Sequence, residues 1–202
     1  MRQKIFGTIC AALTASSVLT CALPATAQKT KWRWFGDPQV MEPLNWMKGR
    51  WEGEAWFDDD TGKHHKLFRM ERVGPLLGGS IIVIEGASFE MNGAPAAFND
   101  FNIISWDEPT FRIRSYAYGA GWDANNRLET TPTGYVWKSV AGPTTFRYIG
   151  THSGDQWREV CEEIDSTGRV TIRFEMNLHR IGETDWPAAG MSMPKQIPRQ
   201  DQ

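Results

Sequence analysis

Val170-Thr171-Ile172-Arg173-Phe174-Glu175-Met176-Asn177-Leu178-His179-Arg180 is the stretch that decides how this chain is read. In extended backbone successive side chains point to opposite faces. Val170, Ile172, Phe174, Met176 and Leu178 therefore share one face, and Thr171, Arg173, Glu175, Asn177 and His179 the other. One face is apolar and the other wet, the pattern of an antiparallel strand that covers a core on one side.

The same period of two runs back through the chain. Trp51, Gly53, Ala55 and Phe57 share a face, with Glu52 and Glu54 opposite. Asp58-Asp59-Asp60-Thr61-Gly62 follows as a hairpin turn, since Asp and Gly tolerate tight-turn backbone. A calcium loop would need a bidentate Glu where Arg69 stands. A second run, His64 to Val73, ends in Gly74-Pro75-Leu76-Leu77-Gly78-Gly79. That Gly-rich loop lacks a following Lys-Ser/Thr and leads into a strand, so it reads as a turn and not as a phosphate cradle. Turn residues then separate strands predicted near residues 80 to 90, 96 to 106, 110 to 118, 126 to 131, 134 to 139, 144 to 151, 156 to 164 and 169 to 180. Almost no i, i+3, i+4 apolar stripe appears. The expected fold is all-β and antiparallel, with about ten strands in an up-and-down barrel or a sandwich.

The ends read differently. Arg2 and Lys4 open a largely apolar stretch from Ile5 to Leu23, and Ala25-Thr26-Ala27 fits a cleavage site, so residues 1–27 are expected to be a signal peptide and the mature chain to start at Gln28. The expected compartment is the periplasm. Lipidation at Cys21 is the competing reading, though Thr20 precedes it where a smaller residue is usual. Loss of Arg2 and Lys4 takes the formal charge from −2 to −4, which leaves no basic surface suited to nucleic acid. No integral membrane span is expected. Cys10 and Cys21 leave with the signal, so Cys161 has no partner for an internal disulfide and reads as a small buried residue. Residues 28–42 form an N-terminal extension, and Lys29 to Trp46, rich in Trp, is expected to strap the barrel. Residues 183–202 read as a flexible tail around a domain at 43–182.

Gly49-Arg50-Trp51 at the start of the first strand, Pro75-Leu76-Leu77-Gly78-Gly79, and the Arg147-Tyr148-Ile149-Gly150 stretch together resemble a bacterial calycin-like (lipocalin-like) family of unknown function, over roughly Pro43 to Arg180. The resemblance implies an up-and-down barrel with a short N-terminal strap. It also implies that Trp51 packs under an Arg at the end of the last strand, here Arg180, to close the floor by a cation-π contact.

A barrel of this size can hold a small ligand if side chains leave its interior open. Phe111, Ile113, Trp137, Tyr148, Phe174, Met176 and Leu178 are the expected ligand-binding wall; Ser115, Ala117 and Phe146 share their inward parity. The expected partner is a small apolar or amphipathic molecule. No cofactor is expected. Haem is the alternative, and only His152 has the parity to reach it. No metal site is expected, because His64 and His65 point to opposite faces. No catalytic residues stand out: there is no Gly-x-Ser-x-Gly, and Glu162-Glu163 diverge. Arg69 and Glu71 share the face of Leu67 and Val73, which allows a polar pair inside the cavity, although a surface cross-strand pair is the more ordinary reading. An enzyme acting on a hydrophobic substrate and a cell-envelope interaction module using the Trp-rich N-terminal segment are the alternatives.

Overall fold

The computed structural model describes residues 38–91, 95–118 and 122–186. The described residues all belong to one compact unit. The signal-peptide reading and the last part of the tail fall outside the described residues.

Ten antiparallel strands close into one up-and-down barrel: β1 (Gly49–Asp58), β2 (His64–Leu76), β3 (Ile81–Glu90), β4 (Pro95–Asp107), β5 (Thr110–Tyr118), β6 (Trp122–Thr131), β7 (Gly134–Ala141), β8 (Thr144–Ser153), β9 (Gln156–Ile164) and β10 (Val170–Gly182). Each strand pairs with its sequence neighbours, and β10 returns to pair with β1, so every strand has a partner on both sides. The architecture fits a calycin-like fold. Predicted and observed strands differ mainly at β6, which begins four residues earlier than expected because Asn125 and Asn126, poor strand formers, still pair with Arg114 and Ile113.

The closed end is sealed by a 3-10 helix at Pro38–Met47. Met41, Leu44 and Met47 recur every third residue, the period at which side chains stack on one face of such a helix, and all three are completely buried. The expected strap therefore exists, but its buried face is this Met-Leu-Met row. Trp46 projects beside it, with its ring stacked on His152 at 4.3 Å and edge-on to Trp51 and Trp157. That placement removes Trp46 from any exposed Trp-rich surface.

At the opposite end two hairpins share one local design. In Asp59-Asp60-Thr61-Gly62-Lys63 the Asp59 carboxylate accepts from the Thr61 amide and hydroxyl and from the Lys63 amide. In Asp165-Ser166-Thr167-Gly168-Arg169 the Asp165 carboxylate does the same with Thr167 and Arg169. These bonds hold Asp165 down to about 2, the Thr167 hydroxyl contributing most. Turn chemistry thus accounts for the acidic run without a bound cation. The tail boundary moves as well. Glu183–Trp186 are described, and Arg72 lies 4.5 Å over the Trp186 ring while its Nε donates to Asp185 at 2.7 Å. The chain leaving β10 is therefore fastened to β2, and a free tail does not begin at residue 183. No helix among the described residues is long and apolar enough to cross a membrane.

Candidate functional site

The site rests on the floor. Trp51 is buried at the start of β1, and its indole Nε1 donates to the Met47 carbonyl at 2.8 Å. The Arg180 guanidinium lies 4.2 Å from the Trp51 ring centroid. It also donates to the carbonyls of Lys48 and Trp46 and, at 3.1 Å, to Asp155. Gly49 is needed here: its φ is +147°, and a side chain would overlap the Arg180 guanidinium. With three acceptors engaged and the face of the ring covered, Arg180 closes the base of the barrel.

Above this base the interior opens into a cavity of about 830 Å³. Its wall has two parts. Near the mouth and along one side stand Phe57, Trp137, Phe146, Tyr148, Phe174 and Met176, with Trp137 and Tyr148 stacked in parallel at 3.9 Å. Deeper, immediately above Trp51, is a polar cluster that replaces the expected apolar lining.

Strand register builds the cluster in two rows. In the first, Glu71 on β2 pairs with Gly86 on β3, and Gly86 pairs with Asp100 on β4. A side chain at Gly86 would overlap both Arg69 and Asp100, so the glycine is what lets Arg69 cross from β2 to Asp100. The Arg69 guanidinium donates to Glu71 Oε1 from Nε at 2.9 Å and from Nη2 at 2.7 Å, to Ser88 Oγ at 2.8 Å, and to Asp100 Oδ2 at 2.5 Å. In the second row, Tyr135 on β7 pairs with Gly150 on β8, and Gly150 with Glu159 on β9. Across the space left by Gly150, the Tyr135 hydroxyl donates to Glu159 Oε2.

Arg69 and Glu71 are 3 % and 4 % exposed, so they are the interior pair and not the surface pair. Burial pushes the Glu71 carboxyl above its ordinary range, against the pull of Arg69, because Asp100 competes for the same guanidinium and Glu71 Oε2 has no hydrogen-bond partner. Burial likewise pushes Glu159 up to about 7, opposed by the Tyr135 hydroxyl. Tyr135 and Tyr148 are held well above the usual phenol range, first by burial. Burial raises the Cys161 thiol to about 12, as suits a small buried residue that is not part of the cavity lining.

Of the residues expected to touch ligand, Ile113, Trp137, Tyr148, Phe174 and Met176 line the cavity. Phe111 and Leu178 are buried in the core and are not part of that lining. His152 also lies off the cavity wall, stacked on Trp46 at the floor. His65, on the inward face at the other end, stacks on Phe57 at 4.5 Å and bonds Asp59 and Glu90. The residues that sequence reading missed are Asp100, Asn126, Tyr135 and Glu159. Parity carried a signal for three of them: Asp100 alternates with Asn102 and Ile104, Tyr135 with Trp137, and Glu159 with Trp157 and Cys161. Parity does not show that two glycines let them meet.

No family model matches the chain, and no curated protein matches it in sequence. Among solved structures it is similar to the crystal structure of Rv2717c from M. tuberculosis, with a TM-score of 0.52 and 10 % identity over 70 % of this chain and 96 % of that one. This likeness concerns the fold.

Proposed function

We propose that the barrel binds a small amphipathic molecule, with its apolar body against the aromatic wall and its polar end at the deep cluster. The observation that carries this reading is the cavity of about 830 Å³, a size that suits a small ligand, with an apolar wall grading into convergent polar groups. A filled barrel would have supported a purely structural role. Export through residues 1–27 belongs to the same proposal; a mature mass corresponding to a start at Gln28 supports it, and a diacylated start at Cys21 overturns the cleavage site and the periplasmic localisation.

Titration of the purified protein with amphipathic probes is expected to change the fluorescence of Trp137, which lies in the wall, and to raise the melting temperature, since a ligand that binds only the native state stabilises it. Met176→Arg places a charge in the apolar wall, beside Glu159 in the strand register, and is expected to abolish binding in a protein that still folds. Saturable binding that persists in folded Met176→Arg places the site elsewhere.

A second reading, an isomerase or hydrolase of a hydrophobic substrate, draws on the raised carboxyls of Glu71 and Glu159, since a carboxyl that titrates near neutrality can act as a general acid or base. Turnover that disappears in Glu159→Gln while binding persists would favour it.

A further inference from the structure

We infer that the deep subsite receives the protonated amino group of a lipophilic amine. The inference rests on the ligand-binding reading above and specifies the chemistry of the ligand's polar end. Five carboxyl groups line the cavity, those of Asp60, Glu71, Asp100, Asp123 and Glu159, and Arg69 is the only basic side chain among the described lining residues. Arg69 is committed: its guanidinium already bonds Glu71, Ser88 and Asp100. A fatty acid or phosphate entering the cavity would meet carboxyl groups whose ionisation it opposes, with only the engaged Arg69 as a cation among the described lining residues.

Four polar atoms of the lining lack partners among the described residues: Glu71 Oε2 and Ser115 Oγ can accept hydrogen bonds, and Asn126 Nδ2 and Trp157 Nε1 only donate. Glu71 Oε2 and Ser115 Oγ belong to cavity-lining residues that are 4 % and 2 % exposed, and neither atom has a hydrogen-bond partner among the described residues. Buried polar atoms without partners are uncommon in native proteins and call for an occupant. An ammonium has three donors and no acceptor, so it matches an unpartnered carboxylate oxygen and a hydroxyl. Asp60 and Asp123 are exposed at the edge of the lining; Asp60 lies 3.9 Å from the Arg173 guanidinium, so Asp123 is the one that adds negative charge there. Aromatic faces along the path tolerate a cation as well as an apolar chain. Among the described residues no group of His, Cys, Asp and Glu has a metal-binding arrangement, which leaves an organic cation as the matching occupant.

Protons report the same chemistry. Glu71 and Glu159 hold their protons to higher pH than free carboxyls do, and an ammonium beside them favours ionisation, so binding should release protons near neutral pH. The other titratable groups around the deep space are Arg69 on β2, Asp100 on β4, Tyr135 on β7, Tyr148 on β8 and Cys161 on β9. The two phenols and the thiol, all raised, stay neutral throughout that range.

The test compares decylamine, decanol and decanoate, which share one alkyl chain, by isothermal titration calorimetry of the purified protein in buffers of different ionisation enthalpy. Decylamine should bind at least about tenfold more tightly than decanoate, with its heat changing with the buffer. Glu71→Gln and Glu159→Gln should each reduce the preference for decylamine over decanoate. Because Glu71→Gln disturbs the Arg69 network and could prevent folding, Glu159→Gln and the proton release of the unaltered protein are independent readouts. Decanoate binding as tightly as decylamine, decylamine heat that does not change with buffer, or a full amine preference surviving in folded Glu159→Gln would overturn this inference while leaving ligand binding intact. Absence of binding by all three probes would overturn the ligand-binding reading and this inference with it.

Discussion

The two ends of this barrel are built from the same alternating strands, yet their inward residues have opposite characters. At the floor, Trp51, Trp157, Met41, Leu44 and Met47 are buried together, and Arg180 has its ring, its carbonyls and Asp155 in place. A few residues further along the same strands, Glu71, Ser115 and Glu159 face open space; Glu71 and Ser115 keep unpartnered polar atoms, and burial raises both carboxyls. The floor is filled by apolar packing, although the indole N–H groups of Trp46 and Trp157 lack partners there, whereas the cavity leaves unpartnered acceptors beside open space. Costs of that kind concentrate at functional sites.

The comparison breaks first at Trp51. Replacing this fully buried indole by Ala should cost about 3 to 5 kcal/mol in chemical denaturation, through lost burial and the cavity left behind. A loss below about 1 kcal/mol would show that the floor does not hold the fold together.

Arg180→Ala comes next. Loss of the ring contact and of the bonds to the Trp46 and Lys48 carbonyls should lower stability by about 1 to 3 kcal/mol and leave the affinity for amphipathic probes unchanged in whatever protein folds. Unchanged melting with loss of ligand would move Arg180 from the floor to the recognition site and erase the distinction between the two ends.

Glu159→Gln sharpens the comparison from the other side, and its effect should appear mainly as a changed pH dependence. The Glu159 carboxyl titrates near 7 in the folded protein, against the ordinary 4.5 in the unfolded chain. The folded state therefore binds the proton more tightly. Its contribution to stability is full below about pH 4.5 and is lost as pH rises through about 7. Between pH 5 and 8 the unaltered protein should lose about 2 kcal/mol more than Glu159→Gln does, after allowance for solvent in the cavity. Parallel stability curves would place Glu159 outside the low-dielectric cluster.

Much of the barrel was legible in the chain because each strand announces its own faces. The alternation from Val170 to Leu178 does not depend on its neighbours, and the Asp59 and Asp165 turns are closed by bonds within five consecutive residues. The strap was legible only in part. Its Trp content drew attention to Trp46 in place of the three-residue row Met41, Leu44 and Met47. The site was least legible. Arg69 and Glu71 carried the right parity, but an ion pair two residues apart on one strand looks the same whether the face is wet or buried. The apolar list from Phe111 to Leu178 mixed wall residues with core residues for a related reason: parity separates inside from outside and does not separate the floor from the cavity above it.

By itself, the sequence determined the antiparallel strands, their inward and outward faces and the turn sites, because these follow from local backbone geometry and a period of two. Only the tertiary structure decided that Gly86 falls between Glu71 and Asp100, and Gly150 between Tyr135 and Glu159. Those rows depend on the register of three strands each. Register is fixed by closure of the whole barrel and not by any one segment, and it turns scattered, individually ordinary carboxyls into a single buried acidic pocket.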